Sequence, residues 1–135
     1  MKVEILRGIS GSGKSTVARK LVANVNSSII CSADDYFVTL VGKYEFDARQ
    51  LSAAHGYCKG KYAAALELGV ELVVVDNTNT QKWEFENYVH QAHAAGYEVN
   101  VQVVGDPKDW ESIKGRNIHG VPDEVLKRQS ERFEF

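Results

Sequence analysis

The chain has 135 residues, 44% of them hydrophobic and 25% charged, with a formal net charge of −2. That length suits one domain, 1–135, able to bury a real core, and the near-neutral charge excludes a strongly basic nucleic-acid coat while leaving room for a local basic groove. No apolar run reaches the length of a membrane span, the Met-Lys-Val-Glu start lacks the apolar region of a signal peptide, and Cys31 and Cys58 lack any paired spacing. The expectation is a cytoplasmic protein with two reduced thiols, no membrane association and no obligate protein partner.

Strand and helix signals alternate along the chain. KVEIL (2–6) reads as a strand. Residues 14–25 read as a helix with Val17, Leu21 and Val25 on one face. SSIICS (27–32) is a second short strand. Residues 46–68 read as a helix, with Leu51, Ala54, Cys58, Tyr62 and Ala65 at turn spacing and Gly69 as its stop. His55 lies beside that stripe and reads as a core histidine. VELVVVD (70–76) is the strongest strand signal, its valine run that of a strand buried on both faces. Residues 80–95 read as a helix lined by Phe85, Val89 and Ala92, 97–105 as a strand, and 122–133 as a helix with Pro122 near its start. The pattern predicts an α/β fold with a mostly parallel sheet covered by helices.

Three polar clusters each follow a strand: GISGSGKST, SADDYF and DNTNT. Ligands of such sheets bind at the carboxyl ends of the strands, so all three should crowd one edge. The first contains G-x-x-x-x-G-K-[ST] in full, Gly8 to Ser15. Gly8, Gly11 and Gly13 let the backbone curl so that amides point inward, with Ser10 and Ser12 between them. The following helix presents its positive end to phosphate. Lys14 is placed to reach the β- and γ-phosphates of a nucleotide and the Ser15 hydroxyl to ligate Mg²⁺. Thr16 is a helix residue with an incidental phosphate contact.

Asp34 and Asp35 follow the second strand, where a carboxylate can take the proton of an attacking hydroxyl and its neighbour help organise Mg²⁺. Asp76 ends the valine strand, a place suited to holding Mg²⁺. Asn77, Thr78 and Asn79 add polar contacts to metal or acceptor, or serve simple turn chemistry. Arg116, in the glycine-interrupted basic loop KGRNIHGVP (114–122), is the candidate cation for the transferring phosphoryl group, and His119 reads as a structural loop residue. The aromatics of YFVTLVGKYEF (36–46) have two readings: they close the core, or they form a wall where an acceptor base stacks.

Taken in order, RGISGSGKST, SADDYF, VVVDNTNT and GRNIHGVP resemble the kinase domain of phage polynucleotide kinase and the small P-loop kinases related to it, including phage enzymes that phosphorylate 5-hydroxymethyluracil within DNA. The resemblance spans nearly the whole chain and implies a P-loop kinase-type three-layer sandwich. It implies ATP-dependent transfer of the γ-phosphate to a hydroxyl of DNA or another nucleic acid, with Lys14 and Ser15 on ATP and Mg²⁺, Asp34 as base and Arg116 at the phosphoryl group. One position departs. Where phage polynucleotide kinase has an arginine after Asp-Asp-Tyr, this chain has Phe37, and an aromatic there suits stacking on an extruded base beside Tyr36. That favours the modified base over a 5′-OH end. A small-molecule or nucleoside kinase, and a regulatory ATPase, are the alternative expectations.

Overall fold

The computed structural model describes residues 1–38, 42–114 and 120–135. Four strands, β1 (Lys2–Arg7), β2 (Ser28–Cys31), β3 (Leu72–Asp76) and β4 (Glu98–Val103), form one sheet in the order β2-β3-β1-β4. All three pairings are parallel, with Leu6 opposite Asp76 and Ile5 opposite Val101. The expected mostly parallel sheet is thus wholly parallel among the described strands.

The helices are α1 (Lys14–Val22), α2 (Leu51–Glu67), α3 (Glu86–Ala94) and α4 (Asp123–Arg132), joined by 3₁₀ turns at Ala33–Phe37, Ala48–Gln50 and Lys82–Glu84. The pleat sorts the core into two layers. Val3, Ile5, Val73 and Val75 point to one face, where Ala54, Cys58 and Tyr62 of α2 and Tyr88 and Ala92 of α3 cover them. Leu6 and Val74 point to the other, against Ala18, Val17 and Leu21 of α1. Helices therefore lie on both faces, as in a three-layer sandwich. Tyr62 packs edge-to-face on Tyr88 at 4.8 Å and donates to the Tyr88 carbonyl at 2.7 Å, so the larger layer buries its phenols with partners.

Helix boundaries shift from expectation for local reasons. α2 begins at Leu51 rather than Phe46, because Asp47 caps the preceding turn by accepting from the Arg49 amide at 3.0 Å. The buried stripe is Ala54, Cys58, Tyr62 and Ala65, while Leu51 and His55 lie exposed. His55 is a surface residue, not the expected core histidine, because it sits one position past that stripe. The third helix starts at Glu86, since Gln81 and Glu84 close a capping box around the turn before it.

The strand order matters most for the site. From β1 the chain passes over to β2, and from β3 to β4 on the opposite side. The carboxyl ends of β1 and β3 therefore flank the crevice where the winding reverses, the ordinary ligand position in such sheets.

Candidate active site

β1 delivers the chain into the glycine loop with its backbone committed. The Gly8 amide donates to Thr78 O at 3.0 Å, and the Ser12 amide to Ile9 O at 3.1 Å. Gly8 permits a close approach. A Cβ there would stand 2.6 Å from Ser12 Oγ and 2.8 Å from Val104 O. Gly11 and Gly13 hold φ of 81° and 101°, which curls the loop into the start of α1. The first amides of α1 have no partner within the helix and face the loop's mouth. Ser12 Oγ is buried and has no hydrogen-bond partner among the described residues.

Lys14 is buried, with Nζ donating to Ile9 O at 3.1 Å. Burial pulls its pKa down, and the charges of Asp76 and Asp34 push back up. Ser15 Oγ donates to Asp76 Oδ2 at 3.2 Å. Burial raises the Asp76 pKa, while Lys14 and the Ser15 hydroxyl favour its ionised form. A hydroxyl paired with a carboxylate is the hard-oxygen donor set that Mg²⁺ takes, its remaining ligands being phosphate oxygens and water. Thr16 is exposed and accepts from Arg19 at 3.4 Å.

The acid pair reaches the same mouth from β2. Ser32 caps the 3₁₀ turn by accepting from the Asp34 amide at 3.2 Å, and Asn77 Oδ1 accepts from the Ala33 amide at 2.9 Å. Tyr44 OH donates to Asp34 Oδ1 at 3.3 Å. Burial pushes the Asp35 carboxyl up, opposed by Lys61, whose Nζ lies 3.7 Å from Asp35 Oδ2. Ser15, Arg19, Asp34, Asp35, Tyr44 and Asp76 line a cleft of about 290 Å³. Lys14 is buried beside that lining, and the charges of Asp76 and Asp34 both reach its ammonium. The structure thus brings Lys14, Ser15, Asp34, Asp35 and Asp76 together.

It places other candidates elsewhere. Phe37 is 6% exposed, in the core layer beside Phe46 and Tyr44, so its ring is not available as a stacking surface. The 3₁₀ turn directs Ala33 and Phe37 inward and Asp34, Asp35 and Tyr36 outward. Asn79 is buried with φ 45°, and its Nδ2 donates to Leu6 O at 2.9 Å. It fastens the end of β1 rather than meeting an acceptor. Asn77 ties the turn of Asp34 to β3. Gly115 to His119, Arg116 included, lie outside the described residues.

Three site residues carry no motif. Tyr44 sits within the aromatic segment, whose readings were stacking or core, not hydrogen bonding to Asp34. Gln129 of α4 grips Ser10 twice, accepting from its amide at 2.9 Å and donating to its Oγ at 3.1 Å. Lys61 needs the packing of α2 to find Asp35. Only the i, i+4 spacing of Tyr57 and Lys61 was there to be seen.

Comparison with known proteins agrees with this architecture. The human NEDD4-binding protein 2 is 37% identical over 135 residues, a match that covers 96% of this chain and 7% of that protein. The chain thus corresponds to a small part of that curated relative. A chain of the Pnkp1/Rnl/Hen1 RNA repair complex superposes with TM-score 0.72 at 16% identity, over 98% of this chain and 43% of that one. Kti12 of Chaetomium thermophilum, solved with ADP-AlF3, gives TM-score 0.66 at 19% identity over 98% of this chain and 80% of its own. A family model for the AAA domain matches residues 3–135, so the chain belongs to that AAA domain family.

Proposed function

We propose that this domain is an ATP-dependent phosphotransferase that moves the γ-phosphate onto a hydroxyl of a nucleic acid. The observation that carries the reading is the shared cleft: Asp34 opens onto the same space as Ser15 and Asp76, within the electrostatic reach of Lys14. A carboxylate so placed can take the proton of an incoming hydroxyl.

The loop amides and the start of α1 would hold the triphosphate, with the Lys14 ammonium leaving Ile9 O for the β- and γ-oxygens. Ser15 and Asp76 would hold Mg²⁺, which when bound neutralises charge on those oxygens. Asp34 accepts the proton of the acceptor hydroxyl. The acceptor oxygen forms its bond to the γ-phosphorus as the bond from that phosphorus to the β-bridging oxygen breaks, and ADP leaves. Tyr44 fixes one oxygen of Asp34 through its hydrogen bond. Arg116 is the proposed cation for the phosphoryl oxygens.

Phe37 bears on which hydroxyl is accepted. Its buried ring removes the argument for an extruded base, and 5-hydroxymethyluracil loses its special support. The resemblance to polynucleotide kinase supports a strand's 5′-OH instead, and a neighbour in fold belongs to an RNA repair complex. The test is transfer of labelled phosphate from ATP to a 5′-OH oligonucleotide, to hydroxymethyluracil DNA and to free nucleosides. Label on the 5′-OH strand is expected. Label on nucleosides alone refutes the nucleic-acid reading. Asp34→Asn should cut transfer by about 10²-fold or more with ATP affinity kept within about twofold. Unchanged turnover would point to a hydrolytic switch.

A further inference from the structure

The acid pair stands beside an exposed aromatic surface that the phosphotransfer chemistry does not use. Tyr36, next to Asp35 in the same 3₁₀ turn, is 37% exposed, Tyr57 of α2 is 45% exposed and Phe46 is 54% exposed. These are large rings to leave in water, and they are contiguous. Tyr36 and Tyr57 have ring centroids 6.1 Å apart at 53°. Tyr36 also packs edge-on against buried Phe37 at 5.4 Å, and Phe46 packs on the same Phe37 at 5.1 Å. The Tyr36 hydroxyl donates to Gln50 Oε1 at 2.9 Å, which fixes the ring. Phe37 is thus the buried post under a rim of exposed rings.

The surface is continuous with the cleft. Lys61 lies one helical turn after Tyr57, so the two side chains share a flank of α2. Its ammonium meets Asp35 at 3.7 Å, and Asp35 lines the cleft together with Asp34. A group resting on Tyr36 and Tyr57 would therefore adjoin the oxygen that Asp34 deprotonates. Exposed aromatics beside a cation are what proteins present to unpaired bases, since every base has a π-face to stack and a nearby phosphate to pair. A base within a duplex has both faces occupied by its neighbours.

We infer that Tyr36 and Tyr57 form an acceptor platform that stacks the unpaired base next to the reacting hydroxyl, making single-stranded nucleic acid the substrate class. The inference rests on the phosphotransfer reading above and deepens it. It also replaces the stacking role expected of Phe37 with Tyr57, a residue 20 positions away that only the packing of α2 on the turn brings alongside.

Binding can be tested without turnover. The probe is a fluorescein-labelled, 5′-phosphorylated pyrimidine oligonucleotide in three forms: intact single strand, single strand with an abasic 5′ nucleotide, and blunt duplex. Fluorescence anisotropy follows wild type, Tyr57→Leu and Tyr57→Phe. Tyr57→Leu should weaken binding of the intact strand about ten-fold, within what stacking of one base contributes, and Tyr57→Phe should restore it to within about twofold. The wild type should bind the abasic strand about ten-fold more weakly, and on that strand Tyr57→Leu should make no further difference. The duplex should bind more weakly than the single strand. The inference is overturned if no strand binds, if the abasic and intact strands bind alike, if the duplex matches the single strand, or if Tyr57→Leu weakens both strands equally. Should Tyr57→Leu fail to fold, the comparison of intact and abasic strands on wild type decides alone. If this binding pattern holds but no label passes from ATP to the 5′-OH strand, the platform stands and the phosphotransfer reading fails.

Discussion

Arg7 is the side chain on which this domain's stability should depend most visibly. It ends β1, one residue before the glycine loop, and it is 3% exposed. Its guanidinium lies 4.6 Å from the ring centroids of both Phe85 and Phe133. Its Nε donates to Asn79 O at 2.9 Å, and Nη2 donates to Thr80 O at 3.2 Å and to Glu134 O. One cation thus joins the first strand, the segment after β3 and the C-terminal tail. Arg7→Met keeps much of the stem and removes the fork. Two ring contacts are lost, each about 0.5–2 kcal/mol, together with three charge-assisted hydrogen bonds of about 1.5–3 kcal/mol each. Against this, the variant no longer desolvates a charge, which returns several kcal/mol. Thr80 O keeps a second donor, the Glu134 amide at 2.7 Å, whereas Asn79 O and Glu134 O lose the side-chain donor they have among the described residues, at about 1–3 kcal/mol for each left unsatisfied.

The losses exceed the returned desolvation by at least about 2 kcal/mol, a large part of the roughly 5–15 kcal/mol that holds a domain folded. Urea unfolding followed by circular dichroism reads it as a lower midpoint at unchanged slope. Arg7→Lys keeps the charge but not the planar fork, so it should recover less than half of the loss. A change below about 1 kcal/mol for Arg7→Met would show that the desolvation cost cancels the contacts, and that the tail is held by Phe133 and Glu134 alone.

Two further outcomes follow from the same geometry. Gly8→Ala pushes a Cβ to 2.6 Å from Ser12 Oγ and 2.8 Å from the Val104 carbonyl, so it should cost about 1–3 kcal/mol and weaken ATP binding in calorimetry. Gly56→Ala, mid-helix with nothing within 4 Å, should instead stabilise by about 0.5–1 kcal/mol, and a matching loss at both positions would refute the crowding argument. Burial, with Cys58 adding to it, pushes the Cys31 thiol up to about 12 from an ordinary 9.0. The unfolded chain therefore releases that proton first, so the contribution is complete below pH 9 and is lost between pH 9 and 12, at about 1.4 kcal/mol per pH unit. Urea midpoints from pH 8 to 11 should fall less steeply for Cys31→Ala than for wild type, and parallel slopes would refute the assignment.

The strands, the glycine loop and the clustering of three polar segments at one sheet edge were legible because each rests on local pattern: valine runs, a fixed glycine spacing, and acids just past apolar segments. What escaped depends on direction or on distance along the chain. In SADDYF, two adjacent aromatics look equivalent, yet the 3₁₀ turn sends Phe37 inward and Tyr36 outward, and nothing in a six-residue string fixes the phase of so short a turn. DNTNT reads as uniformly polar, yet Asn77 braces the neighbouring turn and Asn79 is sealed under β1. Arg7 and Gln129 find partners 72–127 and 119 residues away, where no periodicity in the sequence reaches.

The strand order explains why the brace matters. Because β3 lies between β1 and β2, the glycine loop and the acid turn start two strand spacings apart, about 10 Å. That gap leaves room for a phosphoryl group and an incoming hydroxyl, but it also means that nothing in the sheet itself aims Asp34 at Lys14. The aim comes from β3, which occupies the space between. Its last residue pairs with the loop through Asp76 and Ser15 at 3.2 Å, and the next holds the acid turn through Asn77 and the Ala33 amide at 2.9 Å. Two consecutive residues of one strand end thus set the position of both halves of the cleft. A shift of β3 along its neighbours would move the metal-side carboxylate and the proposed base together, so their spacing is a property of that strand end more than of either loop.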